Sequence, residues 1–419
     1  MDLYSTLSGK VEALVTLHPD RVTMFVCGPT VYDYSHLGHA RTYVVFDVLA
    51  KYLRWTGKEV FYLQNITDVD DKIIRRAGEE GITQSQLARK YEAEYFRDMR
   101  ALGIDGVSLY AHATTHIPEI LSQVERLLAR GVAYITEAGV YFNVDTFEGN
   151  GELSGQDRAK RVSRVVDETK HNPQDFALWK FGEFGEYTWD SPWGRGRPGW
   201  HIEDTAISER YLGQQYDIHG GGLDLIFPHH EAEIAQMESL DGRRPMVRYW
   251  VHTGFLTVQG EKMSKSLGNF ITIRDALKTW SRDVLRYFIL LSHYRSPLQA
   301  TEEGILNASR GLDHIRAVAK KDAGPNQEGR KAFTDAMESD LNTPAALAAI
   351  QGLASAGDLG ALREFGEILG INFLRETSAP LSILRDVRRE LRSRKQFEVS
   401  DLIRARMVDA GLTITDEPL

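Results

Sequence analysis

Apolar and polar positions alternate along this chain with two different periods, and the changes between them mark its elements. Residues 22–27 (VTMFVC) form a short apolar run that ends at Gly28-Pro29, which predicts a buried strand breaking into a loop. From about His36 the spacing becomes helical. Leu37, Ala40, Val44, Val48 and Leu49 are apolar, and Gly57 offers a stop. Residues 59–63 (EVFYL) read as the next strand. Strand, glycine loop, helix and strand make a βαβ unit, whose ligand sites lie at the carboxyl ends of the strands. Residues 65–71 (NITDVDD) are expected just past the second strand, where such a site would be.

Residues 108–198 carry a mixed pattern, with a strand candidate at 140–144 (VYFNV) and many Gly, Pro and charged positions. They read as an insertion in the nucleotide-binding fold. Parallel-strand signals return at 216–219 (YDIH) and 249–251 (YWV). After about Thr301 the pattern is almost wholly helical, and Asn342-Thr343-Pro344 has the form of a helix start. The expected organisation is an α/β Rossmann-like domain over 1–300, interrupted by the insertion, and an α-helical domain over 301–419.

Composition narrows the class. The 419 residues suffice for two or three domains with at least one large core. A formal net charge of −9 argues against a generic basic nucleic-acid coat, while leaving room for a local basic face. No apolar run reaches the roughly 18 residues of a membrane span, and the start MDLYSTLSGKVEAL has no apolar core of a secretory signal. A cytoplasmic enzyme is the expectation. A single cysteine excludes an internal disulfide framework.

Two short stretches carry candidate chemistry. Residues 36–39 (HLGH) place two imidazoles around a glycine at a helix start, where backbone amides favour phosphate. Taken alone, such histidines are ordinarily caps or surface groups. Residues 262–266 (KMSKS), followed by Leu267-Gly268-Asn269, put two lysines and two serines on a glycine-flanked loop. They can hold a polyphosphate, although a solvated loop is the simpler reading of two lysines.

The pair, in this order, resembles the ATP-binding motifs of class I aminoacyl-tRNA synthetases. Further runs narrow the resemblance: CGPTVYD (27–33), NITDVDDK (65–72), DFALWK (175–180), SPWG (191–194), RPGWHIE (197–203), HGGG (219–222) and FPHHE (227–231). Together they resemble the cysteinyl-tRNA synthetase family, densely over residues 20–295 and more loosely in the helical tail. The resemblance implies a synthetase catalytic domain followed by an anticodon-side, tRNA-binding helical domain. It also implies ligation of L-cysteine to tRNA(Cys) with ATP and Mg²⁺ through a cysteinyl-adenylate. His36, His39, Lys262 and Lys265 would be the catalytic residues. Gly28, Thr30, Gly38 and Ser264 would join them around ATP. Thr67 and Trp200 would wall the amino-acid pocket.

The resemblance further implies a zinc site at Cys27, Asp204, His229 and Glu233, of which Cys27, Asp204 and His229 also face the substrate. On their own, His229 and Glu233 read as a surface pair on one helix face, and Cys27 as a small buried hydrophobe. In the family, zinc binds the substrate thiolate directly. This chain departs from the pattern at Asp204, where the family has a second cysteine. Three readings compete there: zinc held with an oxygen ligand in place of sulfur, loss of the metal with Asp204 reading the substrate, or a shifted specificity. Because Cys27, His229 and Glu233 persist together, retention of one zinc per chain is the expectation.

In the tail, Arg385, Arg388, Arg389, Arg392, Arg394 and Lys395 cluster. Such a cluster is ordinarily a solvated helix face, and it can also neutralise tRNA phosphates. The final residues, Asp416-Glu417-Pro418-Leu419, lack the family's short basic, tryptophan-containing ending, so the resemblance implies a shortened anticodon side. A monomer with no membrane partner is expected. Two alternatives remain: a free-standing ligase that joins cysteine to an amino-sugar in thiol biosynthesis, and a catalytically dead RNA-binding relative.

Overall fold

The structure, a computed structural model, describes residues 1–155, 169–258, 261–262, 270–319, 322–374, 387–388, 390–392, 394 and 396–409. In chain order it opens with a hairpin, β1 (Asp2–Ser5) and β2 (Lys10–Ala13). The first βαβ unit follows: β3 (Arg21–Val26), α1 (Leu37–Trp55) and β4 (Glu59–Ile66). Helices α2 (Asp71–Glu80) and α3 (Gln84–Ala101) lead to β5 (Leu109–His112) and α4 (Ile117–Ala129). An antiparallel sheet comes next, from β6 (Ala133–Ile135), β7 (Gly139–Phe142), β8 (Phe176–Phe181) and β9 (Gly196–Pro198). The chain then returns through α5 (Trp200–Leu212), β10 (Tyr216–Gly222), α6 (Glu231–Asp241) and β11 (Val247–Thr253).

The central sheet has the order β11-β10-β3-β4-β5, and every neighbouring pair is parallel. The chain winds outward from β3 to β5, then restarts on the other side of β3 with β10. This reversal opens a crevice at the carboxyl ends of β3 and β10, where open α/β sheets bind ligands. Both faces of the sheet are covered. Val22, Met24 and Val26 join one hydrophobic cluster with α1. Phe25 and Leu63 face the other way, into a cluster with α4, α5 and α6. Period-two alternation on a doubly covered parallel strand explains why residues 22–27 read as one apolar run.

Two expectations are corrected here. The insertion does not begin at 108. Residues 109–112 pair with 63–66 as the edge strand of the central sheet, and the separate sheet starts only at β6. Edge strand β5 is half-buried along most of its length, so it lacks the apolar run of the inner strands. Asn65 and Ile66 do not lie past the second strand but inside it. Their neighbour Gln64 is buried with its Oε1 accepting from the Tyr95 hydroxyl at 3.0 Å, so a polar residue there does not end the strand.

After β11 come β12 (Leu256–Val258), β13 (Glu261–Lys262), α7 (Ile273–Thr279), α8 (Arg282–Leu290) and β14 (Leu298–Gln299). The remainder is helical: α9 (Glu302–Val318), α10 (Gln327–Glu338), α11 (Thr343–Ala356), α12 (Leu359–Leu369) and α13 (Phe397–Asp409). Helix α11 begins as its sequence suggests, with the Asn342 side chain accepting from the Ala345 amide and Pro344 in the first turn. Helices α9 to α12 share the hydrophobic cluster of α1. The fully buried Arg286 fastens them, pairing with Asp47 of α1 at 2.7 Å and donating to the Leu369 carbonyl of α12 at 2.9 Å. In the basic tail, Arg385, Arg389 and Lys395 lie outside the described residues. Arg388 is buried, with Nε donating to the Ser400 carbonyl at 3.2 Å. It is therefore a packing residue, not a phosphate contact. Arg394 pairs with Glu390 one turn away.

Candidate active site and metal centre

The loop after β3 and the start of α1 form one side of the crevice. His36 is the N-cap of α1: its Nδ1 accepts from the Gly38 amide at 3.1 Å, while His39 Nδ1 accepts from the His36 amide at 3.2 Å. The two rings stack at 3.9 Å. Because both Nδ1 atoms accept, each neutral ring carries its proton on Nε2, which makes that atom a donor. Glycine is required at position 38, since a Cβ there would lie 2.8 Å from the His36 ring. It is required at position 28 for a stronger reason: a Cβ would lie 1.6 Å from the Asn65 carbonyl oxygen. The loop thus packs backbone to backbone on the end of β4. Thr30 and Thr67 form a parallel bridge, with the Val31 amide donating to the Thr67 carbonyl and the Thr67 amide to the Pro29 carbonyl.

The chain that follows the lysine motif, from Ile271 to Ile273, reaches the same place. Leu37 donates to the Ile271 carbonyl, and the Ile273 amide to the Ser35 carbonyl, so the chain just after residues 262–269 is stitched to the start of α1. The backbone of Lys262 lies in β13, opposite Thr257. Ser264 and Lys265 lie outside the described residues.

Deeper in the crevice four donor side chains converge. Cys27 follows β3, Asp204 sits on α5, and His229 and Glu233 come from the turn into α6 and its first turn. All four are buried, and their ligand atoms lie within 4.8 Å of one another. His229 Nε2 is 3.1 Å from Asp204 Oδ2 and 3.1 Å from Glu233 Oε1, and Cys27 Sγ is 4.0 Å from Glu233 Oε1. Trp200 stacks on the His229 ring at 4.2 Å. Thr67, at the end of β4, is bridged to Asp204 through Asn65, which donates to Thr67 Oγ1 and Asp204 Oδ1.

The electrostatics of these four groups suit a cation. Burial, followed by Asp204 and Glu233, holds the Cys27 thiol well above its ordinary value. Burial and Asp204 do the same to the Glu233 carboxyl. Glu233 Oε2 is buried without a hydrogen bond, with His219 Nε2 3.4 Å away. Among the described residues no lysine or arginine pairs with Cys27, Asp204 or Glu233. Buried acids without a counter-ion are costly, and a divalent cation removes that cost. Zn–ligand bonds of 2.0–2.3 Å in a tetrahedron put ligand atoms about 3.3–3.7 Å apart, close to the spacing observed. The residues present therefore fit zinc.

The sequence pattern alone does not single out the shell around these four. Cys27 Sγ also lies 3.4 Å from His219 Nε2 and 3.2 Å from His230 Nε2. The far nitrogen of His219 meets the Tyr216 hydroxyl at 2.6 Å, and that of His230 meets His252 at 2.8 Å. His201 Nδ1 meets His229 Nδ1 at 2.8 Å. Burial pushes His201, His219 and His230 well down and His252 to about 3, so these rings are neutral. With His229, five of the thirteen histidines gather here, an enrichment that composition alone hides. Such outer partners orient ligands and tune them.

The family described as tRNA synthetases class I (C) catalytic domain matches residues 13–310. The chain is 44% identical to the cysteine--tRNA ligase of Thermoplasma volcanium, over 99% of this chain and 98% of that one. The chain belongs to the cysteine--tRNA ligase family of class I synthetases. The cysteine--tRNA ligase of Carboxydothermus hydrogenoformans is 43% identical, over 100% of this chain and 98% of its own. Among solved structures, methionyl-tRNA synthetase of Mycobacterium tuberculosis with methionyl-adenylate superposes with a TM-score of 0.61. The match covers 83% of this chain and 84% of that one at 16% identity, a likeness of fold. No helix among the described residues is long and apolar enough to cross a membrane.

Proposed function

We propose that the chain ligates L-cysteine to tRNA(Cys), through a cysteinyl-adenylate formed from ATP, and that the cluster at Cys27 recognises the cysteine side chain. The observation that carries this reading is the meeting of Cys27, Asp204, His229 and Glu233 in the crevice, beside Trp200. In the first step a carboxylate oxygen of cysteine attacks the α-phosphorus of ATP and pyrophosphate leaves. In the second a ribose hydroxyl of the terminal adenosine attacks the activated carbonyl, and AMP leaves. Catalysis here is positioning and charge stabilisation, with no protein nucleophile.

The Nε2–H groups of His36 and His39 donate to ATP at the amino end of α1, over the loop that holds Gly28 and Thr30. Gly38 keeps that end open to the nucleotide. Lys262, Ser264 and Lys265 neutralise the departing pyrophosphate, and Mg²⁺ arrives with ATP. Thr67 and Trp200 enclose the amino acid. When bound, zinc supplies a Lewis acid that takes the substrate thiolate as a ligand, which separates cysteine from serine and valine. Asp204 supplies oxygen where sulfur is the family's usual donor. The acceptor is tRNA rather than an amino-sugar, a reading supported by full-length similarity to proteins named as tRNA ligases. A cytoplasmic monomer is part of the same proposal.

Pyrophosphate exchange tests the role of the lysine loop. Lys265→Ala is expected to slow adenylate formation far more than it weakens cysteine binding. Equal loss in both would remove Lys265 from the reaction.

A further inference from the structure

Asn65 belongs to none of the ligand sets above, yet it touches three of the subsites. It is 1% exposed, at the carboxyl end of β4. Its Oδ1 accepts from the Gly28 amide at 2.6 Å, and its Nδ2 donates to Asp204 Oδ1 at 2.7 Å and to Thr67 Oγ1 at 3.3 Å. The orientation of the amide is not arbitrary. A backbone N–H only donates, so the atom facing Gly28 is oxygen, and the amino group must face the carboxylate.

We propose that Asn65 is the positioning residue that makes Asp204 a one-oxygen ligand. This rests on the reading that the chain holds a divalent cation at Cys27, Asp204, His229 and Glu233. A thiolate offers a metal one donor atom, whereas a carboxylate offers two. With Oδ1 taken by Asn65, only Oδ2 faces His229, at 3.1 Å. The carboxylate then occupies the place of a single sulfur without expanding a four-ligand set. The same amide holds the Gly28 loop, so the geometry of the metal cluster and of the nucleotide loop is set by one side chain. Asn65 touches neither substrate nor metal.

The test uses the full chain loaded with Co²⁺ as a spectroscopic probe, and zinc affinity measured by chelator competition. Asn65→Ala and the shape-preserving Asn65→Asp are compared in the parent and in an Asp204→Cys background. In the parent, either change is expected to weaken zinc binding roughly 10–100-fold. The visible Co²⁺ bands should also weaken as Asp204 turns both oxygens to the metal. In the Asp204→Cys background the loss from Asn65→Ala should be several-fold smaller, because sulfur has no second donor atom to restrain. Unchanged affinity and spectrum in the parent overturn the proposal and leave the metal reading intact. Equal losses in the two backgrounds also overturn it, since a purely structural role predicts that result. If Asn65→Ala does not fold, Asn65→Ser carries the same comparison. A parent chain that takes up neither Co²⁺ nor Zn²⁺ sinks the metal reading itself, and this inference with it.

Discussion

Asp204→Asn should move two properties of this protein in opposite directions. The change preserves shape and removes one charge from a buried cluster of three acids. Asp204 is the leading acidic neighbour lifting both Cys27 and Glu233, after burial itself. In chelator, without a cation, the variant no longer buries an acid that lacks a cationic partner, and should be about 1–2 kcal/mol more stable than the parent. The Asn65 amino group still faces an oxygen at position 204, so this side of the cluster stays satisfied. With metal the sign reverses. A neutral amide is a poor zinc ligand, and a direct ligand matters more than an outer partner, so zinc affinity should fall by at least about 100-fold, or about 2.7 kcal/mol. Thermal melts in chelator and in zinc, with competition against a chromophoric chelator, read both effects on one sample. Unchanged zinc affinity, or a lower melting temperature in chelator, would show that Asp204 is not a ligand in a cation-starved cluster.

Other expectations follow from particular contacts. Arg286→Met leaves the buried Asp47 with Lys51, 3.0 Å away, as its remaining cation among the described residues, and with the Asp105 and Gly106 amides on Oδ1. It should cost about 3 kcal/mol in urea unfolding, with the helical region undocking first; a cost below 1 kcal/mol would deny Arg286 its fastening role. Gly38→Ala drives a Cβ into the His36 ring and should slow pyrophosphate exchange about 100-fold without altering zinc content. Asp358, held at about 2 by Arg330, is a carboxylate with a depressed folded value. The stability it contributes is complete above its ordinary value near 4 and is lost as the pH falls through about 2. Asp358→Asn should therefore cost about 1–2 kcal/mol at neutral pH, with the difference closing between about pH 4 and pH 2 in unfolding curves.

Much of this architecture can be read from local pattern. β3, α1 and the start of α11 follow from apolar spacing, a capping residue and a stop, all of which act within a few residues. β5 and the end of β4 escape that reading. One is a half-buried edge, and the other carries buried polar residues whose partners come from distant segments. The same limit governs the site. Cys27, Asp204, His229 and Glu233 come together only because the sheet reverses its winding at β3, and no local period encodes that meeting. Resemblance to a family named the four. It left unnamed His201, His219, His230 and His252, whose meaning lies in contacts across the crevice, and Asn65, which reads as one polar residue in NITDVDD. Arg388 is the converse case, a charge that looks solvated in sequence and is buried against Ser400.

The central claim is tested most directly by charging tRNA(Cys) with cysteine and with serine, with metal content measured on the same preparation. The account predicts cysteinyl-tRNA, serine rejected by roughly 10⁴-fold or more, and about one zinc per chain. Metal-free protein with full discrimination would contradict the role given to Cys27, Asp204, His229 and Glu233. Failure to charge tRNA(Cys) with cysteine would contradict the function itself.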